Sequence, residues 1–290
     1  METYETLPPL PARPAAGHKG TFGTVLVAAG SPGMAGAAGL CALAVLRSGA
    51  GLCRVACPAG IQPQVAAIAP CATTLPLELP GDRFSGEAVA PVLAAVRQAG
   101  TLALGPGLGQ GAGQVEFIGR LLAAAAVPTV VDADGLNGLA RLAWQEFVPG
   151  GPLVLTPHPG EAGRLLGTSA GEVQADRAGA CREIARRWSC CCLLKGARTL
   201  VVEGERIYTN RSGDSGLATG GSGDVLTGVI AALLAQGVAP FAAAVLGAWL
   251  HGRAGELGSA ALGPWSLTAA DLLDHLPAAF KERALGRWSG

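Results

Sequence analysis

The feature that most constrains the fold is a unit that recurs along the chain: a short apolar run, a turn rich in glycine or proline, then a segment of helical composition. TVLVAA (Thr24 to Ala29) runs into Gly30, Ser31, Pro32 and Gly33 and then into a helix over Met34 to Ser48. The same unit returns in TLALGPGLGQGAG (Thr101 to Gly113), PTVVDADGLNGLA (Pro128 to Ala140) and PLVLTPHPGEAGRLLG (Pro152 to Gly167). Nearly continuous apolar runs suit strands buried on both faces, and alternation with helices suits parallel pairing. The expectation is an α/β fold with a mainly parallel sheet covered by helices on both faces. LCRVAC (Leu52 to Cys57) and Thr73 to Leu77 supply further strands, with helices over Ile61 to Ile68, Gly86 to Gln98 and Val115 to Ala126. Ala175 to Trp188 reads as a helix, Cys190 to Asn210 as a strand followed by a hairpin, and Phe241 to Leu257 and Thr268 to Leu276 as closing helices.

The 290 residues form one expected domain, with residues 1–17 an extended, proline-rich arm and the fold proper starting at Thr24. Lysine plus arginine equals aspartate plus glutamate. That balance offers no basic field for nucleic acid, and no unbroken apolar run is long enough to span a membrane. Eight cysteines include three in succession, Cys190, Cys191 and Cys192, which alternate across a strand and cannot bridge one another. Without a recognisable signal peptide, free thiols and a cytoplasmic location are expected. Cys53 and Cys57 lack the second pair that a zinc site needs, and no metal ligand is assigned.

In open α/β sheets, ligands gather at the carboxyl ends of the strands. The stretch LATGGSGDVLTGVIAALLAQ (Leu217 to Gln236) joins a glycine loop to an apolar helix. Gly220, Gly221, Ser222 and Gly223 offer an anion hole of backbone N–H groups, and Asp224 stands where the loop becomes helix. Two readings of Asp224 stand side by side: a helix cap, and a general base beside a phosphate cradle. Asp132 and Asp134 end one strand, where a helix cap with a turn, substrate orientation, or approach to a metal through water each fits. His158 lies in a turn stiffened by two prolines, Glu161 opens the next helix, and Lys195 ends a strand where a cation can reach phosphate. The small residues Gly36, Ala37, Ala38 and Gly39 imply close approach of another helix or of a ligand. Neither a Walker motif nor a GxSxG elbow is present.

AGSPGMAGAAGL, RSGAGL, ALGPGLG, VDADGLN, LTPHPGE, LLKGART and GLATGGSGDVLTGVIAALLAQG together resemble the ADP-dependent NAD(P)H-hydrate dehydratases of the ribokinase-like superfamily, from about His18 to Glu256. The resemblance implies dehydration of the S-epimer of hydrated NADH or NADPH at the expense of ADP, with AMP and phosphate released. It implies Asp224 as the catalytic base, and the hydrate near Ala37, Gly107, His158 and Asp224. It places the nucleotide along Lys195, Gly196, Ala197, Arg198 and Thr199, with Gly223 beneath the phosphates. Mg²⁺ is implied as a partner of the nucleotide, and a homotetramer as the assembly. Glu161 falls where related kinases carry an acid that organises magnesium, but His158 replaces their usual asparagine, so direct metal ligation is left open. Many members carry a fused epimerase domain for which this chain has no room, and a stand-alone dehydratase is the expectation. A small-molecule kinase of the hydroxymethylpyrimidine or hydroxyethylthiazole type shares the GGSGD chemistry and is the alternative; a non-catalytic nucleotide sensor has no use for the base.

Overall fold

The computed structural model describes residues 2–286. Its strands are β1 (Glu2–Thr3), β2 (Thr24–Ala28), β3 (Leu52–Pro58), β4 (Thr73–Leu77), β5 (Thr101–Leu104), β6 (Thr129–Val131), β7 (Leu153–Leu155), β8 (Cys191–Leu194), β9 (Leu200–Glu203) and β10 (Arg206–Thr209). They form one ten-stranded sheet in the order β1-β10-β9-β8-β7-β6-β5-β2-β3-β4. From β4 to β8 every neighbouring pair is parallel, whereas β9 runs antiparallel to both β8 and β10. The helices are α1 (Ala35–Arg47), α2 (Gln62–Ile68), α3 (Val89–Ala99), α4 (Ala112–Ala124), α5 (Asp134–Leu139), α6 (Pro159–Leu166), α7 (Ala170–Ala175), α8 (Arg177–Arg187), α9 (Ser222–Ala235), α10 (Pro240–Leu262) and α11 (Ala269–Ala284).

Strand periodicity divides the core into two layers. Val25 and Val27 of β2 face one layer with α1, α9, α10 and α11, while Leu26 and Ala28 face the other with α3, α4 and α8. Both faces are therefore buried, which explains why the strands read as apolar runs without alternation. Helix α9 is buried almost all round, from Val225 to Leu234. It packs against α1, where Gly228 lies so close that an added Cβ would stand 2.3 Å from the Cys41 carbonyl oxygen.

Three expectations are corrected. The fold does not start at Thr24: β1 pairs in parallel with β10, with the Glu2 amide donating to the Glu205 carbonyl at 2.8 Å and Tyr4 doing the same to Ile207. The helix expected over Ala175 to Trp188 is α8 and starts at Arg177, capped by the Asp176 carboxylate, and an unexpected short helix, α7, precedes it, capped by the Ser169 hydroxyl in a box with Glu172. The last helix does not stop at Leu276: α11 continues through Pro277 to Ala284, since Leu272, Leu273, Leu276 and Ala279 are buried along one face. That burial outweighs the hydrogen bond proline removes.

Candidate active site

The carboxyl ends of β5 to β8 bring the singled-out segments together. Helix α9 begins after Gly221, its N-cap, which has φ +89 and no side chain to offer. Asp224 is therefore the third helical residue and not the cap, so the capping reading gives way. Uncapped first-turn N–H groups have no intrahelical partner and point out of the helix end, which leaves the Gly223 and Asp224 amides facing the cleft. A side chain at position 223 would crowd the ion pair: an added Cβ would stand 3.2 Å from Asp132 Oδ2 and 3.3 Å from Lys195 Nζ. Gly220 lies exposed at the mouth of the loop.

The centre of the site is an ion pair that composition and spacing do not reveal. Lys195 Nζ donates to Asp132 Oδ1 at 2.6 Å and lies 3.7 Å from Glu161 Oε2. Asp132 is 1 % exposed, and its other oxygen accepts from the Thr227 hydroxyl on α9 at 2.9 Å. One carboxylate thus clamps the β8 lysine to the first turns of α9. Burial alone would lower the Lys195 ammonium, but Asp132 and Glu161 hold it above its ordinary value. Burial pushes the Asp224 carboxyl the other way, up to about 7, with Asp132 adding to the shift and Lys195 opposing it. A carboxyl with that pKa, beside open amides and an ammonium, is suited to take a proton from a hydroxyl near neutral pH.

The turn between the two acids is strained. Ala133 has φ +49 and ψ −121, a region that L residues seldom adopt. The turn sends adjacent acids to different partners: Asp132 inward to Lys195, and Asp134 outward to accept from the Gly109 amide at 2.9 Å and from Gln110 Nε2 at 3.1 Å. Asp134 is the first residue of α5 rather than its cap.

His158 has a structural task. Its Nδ1 accepts from the amides of Gly160 (3.0 Å) and Glu161 (3.3 Å), while Glu161 Oε2 accepts from the His158 amide at 2.8 Å, a reciprocal capping box for α6. With Nδ1 accepting, the neutral ring carries its hydrogen on Nε2, which lies 3.4 Å from Glu161 Oε1 in a half-exposed side chain. Burial, with Lys195 adding to it, lowers the His158 pKa and keeps the ring neutral. Glu161 joins the His158 cap to Lys195, which ties the β7 turn to the ion pair.

Ala37 and Gly107 lie side by side. Gly107 has φ +62, and a Cβ there would stand 3.1 Å from Ala37 Cβ and 2.8 Å from Met34 Cβ. One turn further along α1, Leu40 abuts Gly221, where an added Cβ would stand 2.7 Å from Leu40 Cδ1. The nucleotide segment divides. Lys195 enters the cluster, while Gly196, Ala197 and Arg198 lie exposed in a loop braced by Arg177 Nη2, which donates to the carbonyls of Leu194 and Lys195. The Thr199 hydroxyl closes that loop on the Gly196 carbonyl at 3.0 Å.

Sequence reasoning missed His251. It is buried in the middle of α10, and its Nε2 lies 2.9 Å from the Ser222 carbonyl oxygen and 3.1 Å from Ser222 Oγ. Burial lowers its pKa to about 4, so a neutral imidazole fixes the second half of the anion loop. Only the position of α10 beneath that loop discloses this contact.

A mainly parallel α/β sheet with a glycine loop, a helix-start carboxylate and a strand-end lysine at one edge defines a ribokinase-like protein. The ribokinase of Thermotoga maritima shares this fold with a TM-score of 0.56 at 12 % identity, over 89 % of this chain and 99 % of its own. A model of the NAD(P)H-hydrate dehydratase family matches residues 25–278, and the chain belongs to that family. It is 47 % identical over 238 residues to the bifunctional NAD(P)H-hydrate repair enzyme Nnr of Moorella thermoacetica, covering 81 % of this chain and 45 % of that protein. The chain thus spans about half the length of the curated relatives it matches. The ADP/ATP-dependent NAD(P)H-hydrate dehydratase of Bacillus subtilis, co-crystallised with ATP and Mg²⁺, superposes with a TM-score of 0.82 at 32 % identity, covering 95 % of each chain.

Proposed function

We propose that this protein is a hydro-lyase that returns the S-epimer of hydrated NADH or NADPH to NAD(P)H, with ADP as co-substrate. The observation that carries this reading is the Asp224 carboxyl, raised to about 7, beside the open amides of α9 and the Lys195 ammonium. Asp224 takes the proton of the hydrate hydroxyl, and the oxygen attacks the terminal phosphorus of ADP. The bond to AMP breaks and AMP leaves with the electron pair. The carbon that carried hydroxyl now carries phosphate, a far better leaving group. The ring nitrogen's electron pair expels it, and loss of a proton from the adjacent carbon restores the dihydropyridine. The oxygen of the hydrate leaves as part of inorganic phosphate, so the reaction balances.

In this reading the hydrated ring rests against Ala37 and Gly107, whose small side chains leave it space, with the His158 Nε2–H as a donor. The nucleotide lies along Lys195 to Thr199, and its terminal phosphate meets the amides of Gly223 and Asp224. Lys195 already occupies the space between Asp132 and Glu161, and no group of three acidic, histidine or cysteine side chains among the described residues is arranged to hold a metal. These acids fit an ammonium rather than a directly ligated ion. Mg²⁺ in this reading travels on the nucleotide phosphates and screens their charge. A cytoplasmic homotetramer acting on small molecules accompanies the reading; among the described residues no helix is long and apolar enough to cross a membrane, and light scattering on the purified protein tests the assembly.

The test is to incubate the protein with hydrated NADH and either ADP or ATP, and to follow the return of dihydronicotinamide absorbance. Recovery that depends on a nucleotide supports the reading and identifies the donor. Asp224→Asn is expected to bind nucleotide but to lose turnover by about 10²- to 10⁴-fold, the usual contribution of a positioned base. Near-normal turnover in that variant removes Asp224 from the role.

A further inference from the structure

Gln114 is 5 % exposed, and its side-chain amide has no hydrogen-bond partner among the described residues. A primary amide brings two donors and an acceptor oxygen, and the Gln114 amide atoms are not among the sealed, unpartnered polar atoms of the core, so they stay open to the space they line. Gln114 sits in the first turn of α4, a helix of 13 residues whose N-cap, Gly111, provides no capping side chain. The open helix end and the Gln114 amide line a cavity of about 10 Å³, shared with Gly109, Asp134, Asn137 and Arg141. That space takes one oxygen-sized group.

The surroundings favour a negatively charged visitor. A Cβ built on Gly109 would stand 3.5 Å from Arg83 Nη1 and 3.9 Å from Gln114 Nε2, so two donors without a partner converge on one glycine, beside Ser31 Oγ (3.6 Å), whose hydroxyl donates to the Gly107 carbonyl. Neither Arg83 nor Arg141 is ion-paired among the described residues. Arg164 adds a third guanidinium, donating to Asn137 Oδ1 at 2.9 Å. Asp134 is the one opposing charge. Its oxygens are engaged by the Gly109 amide and by the side chains of Gln110 and Asn137, so it anchors the loop and leaves the arginines in excess.

The place matters as much as the charge. Gly109 follows two residues after Gly107, where the hydrated ring is assigned, and α4 lies in the sheet layer opposite α9, away from the Lys195 cluster that receives ADP. We propose that the α4 N-terminus, Gln114, Arg83 and Arg141 form a subsite for the diphosphate of the dinucleotide substrate, one phosphoryl oxygen entering the cavity. The subsite rests on the hydrate dehydratase reading and extends it: the reacting ring is held on one side of the cleft, and its phosphates are held by the helix end on the other. Charge-assisted bonds to guanidinium and helix amides are the strong ones for such a group.

Steady-state kinetics with hydrated NADH and ADP test it. Arg141→Gln is expected to raise the KM for hydrate about tenfold, as loss of one charge-assisted contact does, while the KM for ADP stays within about twofold. Gln114→Glu keeps the shape and adds a negative charge, and is expected to raise the hydrate KM further than Gln114→Met, with the melting temperature measured alongside to separate folding from binding. A purely structural role for Gln114 would lower stability in both variants and move the two Michaelis constants together, which overturns the subsite. Wild-type turnover combined with an unchanged hydrate KM in Arg141→Gln and Gln114→Glu also overturns it alone. No wild-type turnover of hydrate with any nucleotide overturns the dehydratase reading, and the subsite with it.

Discussion

At the scale of single residues, Asp224 carries opposite consequences for activity and for stability. Its folded pKa of about 7 stands above the ordinary 3.8. Below 3.8 the carboxyl is protonated in both folded and unfolded chains. As the pH rises toward 7, the unfolded chain ionises more readily, so stability is lost progressively and the loss is complete above 7. Activity runs the other way, and kcat/KM is expected to rise with pH through about 7 as the base ionises. Asp224→Asn should therefore melt higher than wild type at pH 8 and near wild type at pH 4; an equal difference at both would show that the carboxyl is unperturbed. His158 likewise serves two ends. His158→Ala removes the α6 cap at a cost of about 1 kcal/mol as well as the Nε2 donor. His158→Asn restores a capping side chain, so stability recovered without recovery of the hydrate KM would assign the ring its ligand role, and full recovery of both would leave it only a cap.

Much at this scale was legible in the chain. Small residues at the start of α1 and in the loop after β5 could be read as coming together, since these segments follow strands. The pairing of Asp132 with Lys195 could not, because the residues are 63 positions apart and their meeting depends on β6 and β8 flanking β7. The same holds for His251, which has the pattern of any polar residue in a long helix.

At the scale of elements, the packing of α9 on α1 sets the position of the base. Gly228→Ala would press a methyl group against the Cys41 carbonyl and Ala44 Cβ, both under 3 Å away. We expect a loss of about 1–3 kcal/mol, the usual cost of overpacking, read as a lower denaturation midpoint. The parallel strands were legible because burial on both faces leaves an uninterrupted apolar signature. Helix limits were less so. Ser169 and Glu172 carried a readable capping signal for α7, but Pro277 carried a stop signal that packing overrides in α11. Local rules compete with burial there, and only the assembled neighbours decide.

At the scale of the whole molecule, the N-terminal arm joins distant parts of the chain. Beyond the β1 pairing, Tyr4 meets Phe241 edge to face with ring centroids 5.4 Å apart, and Arg283 Nη2 on α11 donates to the carbonyls of Leu7 (2.9 Å) and Pro8 (2.8 Å). Arg283→Met should free the arm, seen as faster protease cleavage within residues 1–17 while hydrate turnover is retained; unchanged cleavage would show that the sheet contact alone suffices. Glu2, Tyr4, Leu7 and Pro8 find these partners in β10, α10 and α11, more than 200 positions downstream of Tyr4, while Arg13 reaches the nearer Gly49 carbonyl. A ribosome delivers the chain from its amino end, so these early residues emerge long before the surfaces that receive them; β10 is available to Glu2 to Tyr4 first, and the Arg283 contact with Leu7 and Pro8 only once α11 has been made. Their prolines suit that interval: they hold the segment in an open conformation that docks late without first having to unravel a helix.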